Sequence, residues 1–454
     1  MHSERPKPGV SLQRTMGLFP ASAMVAGIIL GASIFVQPSE ISRHVSSIPG
    51  MFVVWLCAGV LTLCGALVCA ELASAFPQTG GVYIFLKEGI SPAAGFLWGW
   101  AMFWSVHSGI IAAMAVIFAR YVGYFTPLGD TGIRVVAIGA ILLLSGVNYL
   151  GVRLGGSVQT ILTSAKVLAI VLILIAVFAL AAPEQAAQAS PTPAEMPSLR
   201  AFVLALIAGL FSFGGWHMVT YAAGETREAE KTIPRALLIG TLVVTACYLG
   251  LNAAYLRVLP LAKLVASERV AADAASALGG AWGAAAVSAL VIVSACGSLN
   301  GIILAGPRVY FAMAQDGLAF RWLSAIHPRF QTPHKAILLQ AVWSSVLVAT
   351  GTYRALFTRV IYTEWLFFGL MTLGIFRLRS RSFGTSYAPA ARVWGYPVVP
   401  LLFAAACAAI VINQIAADPK ESAMGLLLVG AGWPVYYFWA RKNNSQGELA
   451  NGNH

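Results

Sequence analysis

Uncharged apolar runs long enough to cross a lipid bilayer recur along most of the chain, and residues 51–70 (MFVVWLCAGVLTLCGALVCA) are one of them. A backbone surrounded by hydrocarbon must satisfy its own N–H and C=O groups, which leaves helices or closed barrels. Barrel strands would show short stretches of alternation, and these runs are long and continuous. With 58% hydrophobic and only 10% charged residues among 454, the chain has too little polar surface to coat a water-soluble domain or to stay disordered. At about 20 residues per span, twelve helices would use roughly 240 residues and leave short loops. The expected architecture is an all-α membrane protein with spans near 17–37, 50–75, 92–123, 132–150, 157–182, 200–223, 235–257, 281–306, 335–351, 356–377, 395–415 and 422–440.

The formal charge of +12 does not point to nucleic acid, because the basic residues are scattered through many loops with no aromatic-interleaved stripe. With the amino terminus in the cytoplasm, Lys and Arg gather on the inner side, as in Arg227, Lys231 and Arg235 and in Arg377, Arg379, Arg381 and Arg392. That asymmetry orients a multi-pass protein of the plasma membrane with both termini inside. The first 16 residues are polar and lead into a span expected to insert uncleaved, and the polar tail Asn443 to His454 reads as disordered. All six cysteines fall in apolar segments without a CxxC pair, so neither a disulfide framework, a zinc site nor any other cofactor is expected. The segment 77–91 is too short and polar to span and reads as a helix at the inner interface. The twelve tryptophans read mostly as interface anchors.

Glycine placement carries the functional signal. Gly27 and Gly31 lie within GIILGASIF of the first span; Gly209, Gly214 and Gly215 lie within GLFSFGGWHM of the sixth. Each opens a block of five spans (17–182 and 200–377), with the last two spans, 395–440, outside. Gly-interrupted helices at matching positions of two halves point to a transporter binding site. Unwinding there frees backbone groups: the amides at one half-helix end suit a carboxylate, and the carbonyls at the other suit an ammonium group. An α-amino acid carries both. Glu71, Glu225 and Glu364 fall at or near span ends, so the sequence offers no mid-membrane carboxylate to pair with a cationic side chain, and neutral amino acids are the expected guests.

At these residues the chain resembles the amino acid–polyamine–organocation superfamily, and within it the L-type amino acid transporter group. The first-span signature appears as Leu30-Gly31-Ala32-Ser33-Ile34-Phe35, and the inner-loop stretch as Ala70-Glu71-Leu72 through Phe76-Pro77-Gln78-Thr79-Gly80-Gly81-Val82-Tyr83. Asn148-Tyr149-Leu150-Gly151-Val152, Phe211-Ser212-Phe213-Gly214-Gly215-Trp216, Gly224-Glu225, Ile233-Pro234-Arg235-Ala236 and Gly297-Ser298-Leu299-Asn300-Gly301 extend the likeness over nearly the whole chain.

The resemblance implies twelve helices with a five-plus-five inverted repeat and discontinuous helices 1 and 6. It implies a substrate carboxylate at the amides of Ala32 and Ser33, flanked by Gly31 and Ile34. The amino group would meet the carbonyls of Ile29, Phe211 and Gly214, and Gly215, Trp216 and His217 would follow the break. Phe211 would close over bound substrate, and Lys166 would occupy the space of a sodium ion as a fixed or titrating positive charge. His217 stands where the family often has Asn. The loop 123–132 lacks the cysteine through which some members join a single-span glycoprotein, so no disulfide-linked partner is expected and a stand-alone bacterial protein fits better. The resulting expectation is sodium-independent exchange or proton symport of neutral L-amino acids, by a chain that contacts membrane lipid and its small-molecule guest. Polyamines, cationic amino acids and a non-transporting sensor remain alternatives. No GxxxxGK[ST] loop, HExxH cluster or channel-filter repeat suggests a pump, an enzyme or a channel. Among single residues, Ser294 and Ser298 either face the first span or back-bond to their own helix. Arg120 is expected to snorkel, His107 to be a packing residue, and Glu225 to be a gate ion pair or a solvated helix end.

Overall fold

In the computed structural model, described for residues 12–31, 33–35, 37–180, 197–267, 270–380 and 387–440, every described element is helical apart from one isolated bridge between Met16 and Thr226. In chain order the α-helices are α1 Leu18–Ile29, α2 Gln37–His44, α3 Ile48–Ala75, α4 Val82–Gly89, α5 Pro92–Ala101, α6 His107–Val122, α7 Asp130–Tyr149 and α8 Val152–Leu180. There follow α9 Leu199–Ser212, α10 Ala229–Val258, α11 Leu261–Ala266, α12 Val270–Ala305, α13 Pro307–Gln315, α14 His334–Thr350, α15 Tyr353–Ser380, α16 Val398–Ala417 and α17 Pro419–Gly430. The tails, the loop 181–196 and Ala32 lie outside the described residues.

Several helix starts are written in the sequence. Ser47, Ser91, Ser198 and Asp418 each accept a hydrogen bond from the backbone N–H three residues on, and in three of them Pro follows at the first or second helical position. That pairs a capping acceptor with a residue whose missing N–H costs nothing there.

Among the described residues, ten helical segments are long and apolar enough to cross a membrane. The other two expected spans are shorter: α1 has 12 residues and α14 has 17. α1 is short because it stops at a break, and α14 because Gly351 ends it in a left-handed conformation, φ 73°. α12 is the central element, with 78% of its most apolar stretch buried, against 17% to 22% for α7, α8, α16 and the α17 segment. The outward faces of these four carry Leu143, Ile161, Ile412 and Leu427, all well exposed as lipid contact requires. Where α7, α8 and α12 meet, Asn148 Nδ2 donates to Asn300 Oδ1 at 2.9 Å, and Asn300 Nδ2 donates to Gln159 Oε1 at 2.9 Å.

Two sequence expectations change. Residues 77–91 do form a short helix, but Tyr83, Phe85 and Leu86 are fully enclosed, so α4 is packed into the protein rather than laid on the interface. Trp55, Trp98 and Trp216 are core residues, whereas Trp282 and Trp394 are exposed, so tryptophan near a span end does not by itself mark an anchor.

Candidate functional site

α1 ends at Ile29, Leu30 leaves helical geometry at ψ 64°, and a short 3-10 turn resumes at Ser33–Phe35. α9 ends at Ser212, and after Phe213 and Gly214 the chain turns at Gly215 into a 3-10 helix, Trp216–Glu225. Gly215 sits at φ 91°, a left-handed conformation that favours glycine, and a Cβ there would run into Ile28 of the first break. Both interruptions read from the glycines are therefore present, and they face each other.

Their freed carbonyls are met by side chains. Lys166, fully buried on α8, donates from Nζ to Gly27 O and Leu30 O at 2.9 Å each and to Ser294 O at 3.0 Å. Ser294 Oγ donates to Leu30 O at 2.7 Å and Ser298 Oγ to Gly27 O at 3.0 Å. Thus both serines face the first span. Gly27 and Leu30 carry C-terminal carbonyls of α1 that no further turn can satisfy, and a positive charge there also complements the helix dipole. Gly297 makes room for it: a Cβ at that position would stand 3.0 Å from both Lys166 Nζ and Cε. Tyr248 on α10 ties the breaks together, its hydroxyl lying 2.9 Å from Ile29 O and 2.8 Å from Ser212 O.

Between the breaks lies a cavity of about 800 Å³, within the range of small-molecule sites. Ile29, Gly31, Ser33, Phe211, Gly214, Gly215 and Trp216 all line it. Phe211 is 46% exposed toward it. Ala32 lies outside the described residues. Ile34, His217 and Lys166 are buried and stand behind the wall. Ile29 O already accepts from Tyr248 and from Gly31 N, and Phe211 O accepts from Gly214 N at 3.2 Å.

The cavity continues past Arg120 and Tyr124 at the end of α6 and Asp273 and Ser276 at the start of α12. Arg120 thus lines its mouth, where the sequence suggested a lipid-facing position. The opposite end of α12 is shut. Glu225, fully buried, accepts from Arg308 Nε at 2.6 Å and Nη2 at 3.2 Å, which decides for an ion pair over a solvated helix end. The Glu225 carbonyl also accepts the amides of Thr15 and Met16 at 2.9 and 3.0 Å. At the same end Glu71 accepts from Arg379, from Tyr387 Oη at 2.8 Å and from Val393 N at 2.7 Å. Asp316 accepts from Tyr83 Oη at 2.6 Å and Lys87 Nζ at 2.8 Å. Burial, then the Asp316 carboxylate, pushes the Tyr83 hydroxyl's pKa up, so it stays a donor.

One expectation fails. Glu364 lines the cavity and is buried on α15, with His217 Nε2 3.5 Å from its Oε1. Sequence placed it near a span end; in the structure the face of α15 that carries Ile361, Glu364, Trp365 and Phe368 turns toward the cavity. An acidic group is therefore available in the pocket after all. Tyr248 and Arg308 had no assigned role either: a lone Tyr in an apolar span gives no sign that its hydroxyl meets two carbonyls. His107 is a buried packing residue, with Nδ1 3.4 Å from Tyr310 Oη.

A helical membrane protein with two interrupted helices around a cavity open toward one end and closed at the other has the build of a solute carrier. Residues 16–437 match the sequence model of the amino acid permease family, and the chain belongs to that family, within the amino acid–polyamine–organocation superfamily. It is similar to the serine/threonine exchanger SteT of Bacillus subtilis, at 32% identity over 96% of this chain and 98% of that one. It is also 30% identical to the human large neutral amino acids transporter small subunit 2, over 96% of this chain and 82% of the relative. The human b(0,+)-type amino acid transporter 1 is 30% identical over 84% of this chain and 78% of the relative. The family and these relatives are amino acid transporters, and the chain is a multi-pass membrane transporter and not an enzyme.

Proposed function

We propose that the chain is a secondary active transporter exchanging neutral L-amino acids, sodium-independently, by alternating access. The observation that carries this reading is that both helix breaks border one cavity while the leftover carbonyls of the first, Gly27 O and Leu30 O, are held from behind by Lys166. In this reading the amides of Ala32 and Ser33 take the carboxylate, and the carbonyls of Ile29, Phe211 and Gly214 take the amino group. Phe211 closes over the guest from the open end. Lys166 supplies a positive charge, fixed or titrating, where a sodium-coupled carrier would bind its ion.

The α1 break and α14 complete twelve spans, since 17 residues rise about 26 Å and nearly match the hydrocarbon core. Ten of the twelve form the inverted five-plus-five repeat (17–182 and 200–377), and α16 and α17 stand outside it. The open end then faces outward and the closed end the cytoplasm, where both termini lie, in a bacterial inner membrane. The chain works without a disulfide-linked heavy chain. Exchange is preferred to proton symport because a relative similar over nearly its full length is named an exchanger.

A cationic guest is the second reading, favoured by Glu364 in the wall. Proteoliposomes loaded with unlabelled amino acid and presented with labelled amino acid decide the matter. Labelled uptake that needs internal substrate and ignores sodium is expected. Uptake that requires a sodium gradient, or binding without any uptake, refutes the reading.

A further inference from the structure

On α15, Ile361, Glu364, Trp365 and Phe368 fall at the i, i+3, i+4 and i+7 positions of one helix face, and all four line the cavity. Three are apolar. The fourth is a carboxyl group that is 7% exposed, in surroundings where an unpaired acid is costly. Among the described residues no Lys or Arg side chain is within ion-pair distance of it. Its ionisable neighbours are Tyr221, whose buried hydroxyl is itself without a hydrogen-bond partner among the described residues, and His217, 3.5 Å away and outside hydrogen-bond geometry. His217 is itself fully buried, with the rings of Trp98, Trp216, Tyr221 and Phe368 at 5.8, 5.5, 5.5 and 4.8 Å. Both of its ring nitrogens lack a hydrogen-bond partner among the described residues. Two polar side chains thus sit in an aromatic box whose open side is the cavity. A box of this kind is incomplete without a guest, because buried polar atoms are normally hydrogen-bonded.

We propose that Glu364 is a specificity-determining residue, accepting a hydrogen bond from a guest side chain that is short, neutral and ends in a hydroxyl or amide N–H. The inference rests on the amino acid reading given above. Length follows from where the carboxyl group stands. His217, three residues after Gly214, has its Nε2 3.5 Å from Glu364 Oε1, and the Trp216 and Phe368 rings are 5.2 Å apart, so Glu364 closes directly on the second break. A guest whose amino group is held at that break meets the carboxyl group with a short side chain such as that of serine, threonine or asparagine, and a lysine side chain is too long for it. Charged or protonated, the carboxyl group keeps an acceptor oxygen for such a donor. A valine side chain has the shape of threonine but leaves that oxygen unpaired, the situation in which sites discriminate most strongly.

The test is competition against labelled alanine in proteoliposome exchange, comparing threonine with valine. In the wild-type protein threonine should compete at least ten-fold better than valine. Glu364→Leu should bring that ratio to within about two-fold, whereas Glu364→Gln, which keeps a carbonyl acceptor, should hold most of it. A wild-type ratio near one overturns the proposal, whatever the variants do. So does a ratio unchanged in Glu364→Leu, and so does lysine outcompeting threonine in the wild type with the advantage lost in Glu364→Leu. If alanine is not exchanged at all, the transport reading fails separately. Thermal stabilisation of the detergent-purified protein by threonine over valine then still tests the specificity claim, and equal stabilisation refutes it.

Discussion

The closed end of the molecule offers a quantitative prediction. Glu225 and Arg308 are 0% and 1% exposed and share two hydrogen bonds, 2.6 and 3.2 Å long. Charge-assisted bonds contribute about 1.5–3 kcal/mol each, so removing one partner forfeits on the order of 3–6 kcal/mol and strands the other charge. That agrees with the roughly 3–5 kcal/mol typical of breaking a buried pair from one side. Glu225→Leu and Arg308→Met should each destabilise the protein by about this much. The double variant should be more stable than the sum of the two predicts, by about 2 kcal/mol or more, because neither charge is then left alone. The assay is the fraction of detergent-solubilised protein remaining monodisperse after heating, measured for wild type, both single variants and the double. Because the side-chain pair ties residue 225 to α13 across the closed end, the single variants should also lose exchange activity by leaving that end unsealed. Additive effects, or a single-variant loss below about 1 kcal/mol, would show that the pair is solvated and refute the reasoning.

Lys166→Met keeps the length of the side chain and removes three donated hydrogen bonds; exchange should fall at least ten-fold while folded protein is still recovered, and near-normal exchange counts against Lys166 as the prop of the first break. Tyr248→Phe leaves Ile29 O and Ser212 O without the hydroxyl that joins them. It should cost about 1–3 kcal/mol in thermal stability and weaken amino acid binding, both measurable by a ligand-dependent melting shift. Gly215→Ala forces a Cβ into a φ of 91° and against Ile28. A loss of about 1–3 kcal/mol with impaired exchange is expected, and an unchanged melting curve would mean the sixth-span turn tolerates side chains.

The sequence by itself determined the solvent the fold is built for. Uninterrupted apolar runs permit few architectures in hydrocarbon, and glycines in the first and sixth spans marked both helix breaks to within a residue or two, because backbone freedom is a local property. Lys166 stood out through the family resemblance, and it was the structure that showed its ammonium group on the carbonyls of Gly27 and Leu30. The tertiary structure alone decided who meets whom. Ser294 and Ser298 could have bonded to their own helix, and Glu225 could have been solvated. Tyr248 gave no sign of bridging two breaks that lie 36 and 219 residues away. Glu364 was misplaced because distance from a span end measures depth along one helix, whereas entry into a cavity depends on which face that helix turns toward its neighbours. Such pairings depend on the docking angles and rotations of helices far apart in the chain, and local sequence does not encode them.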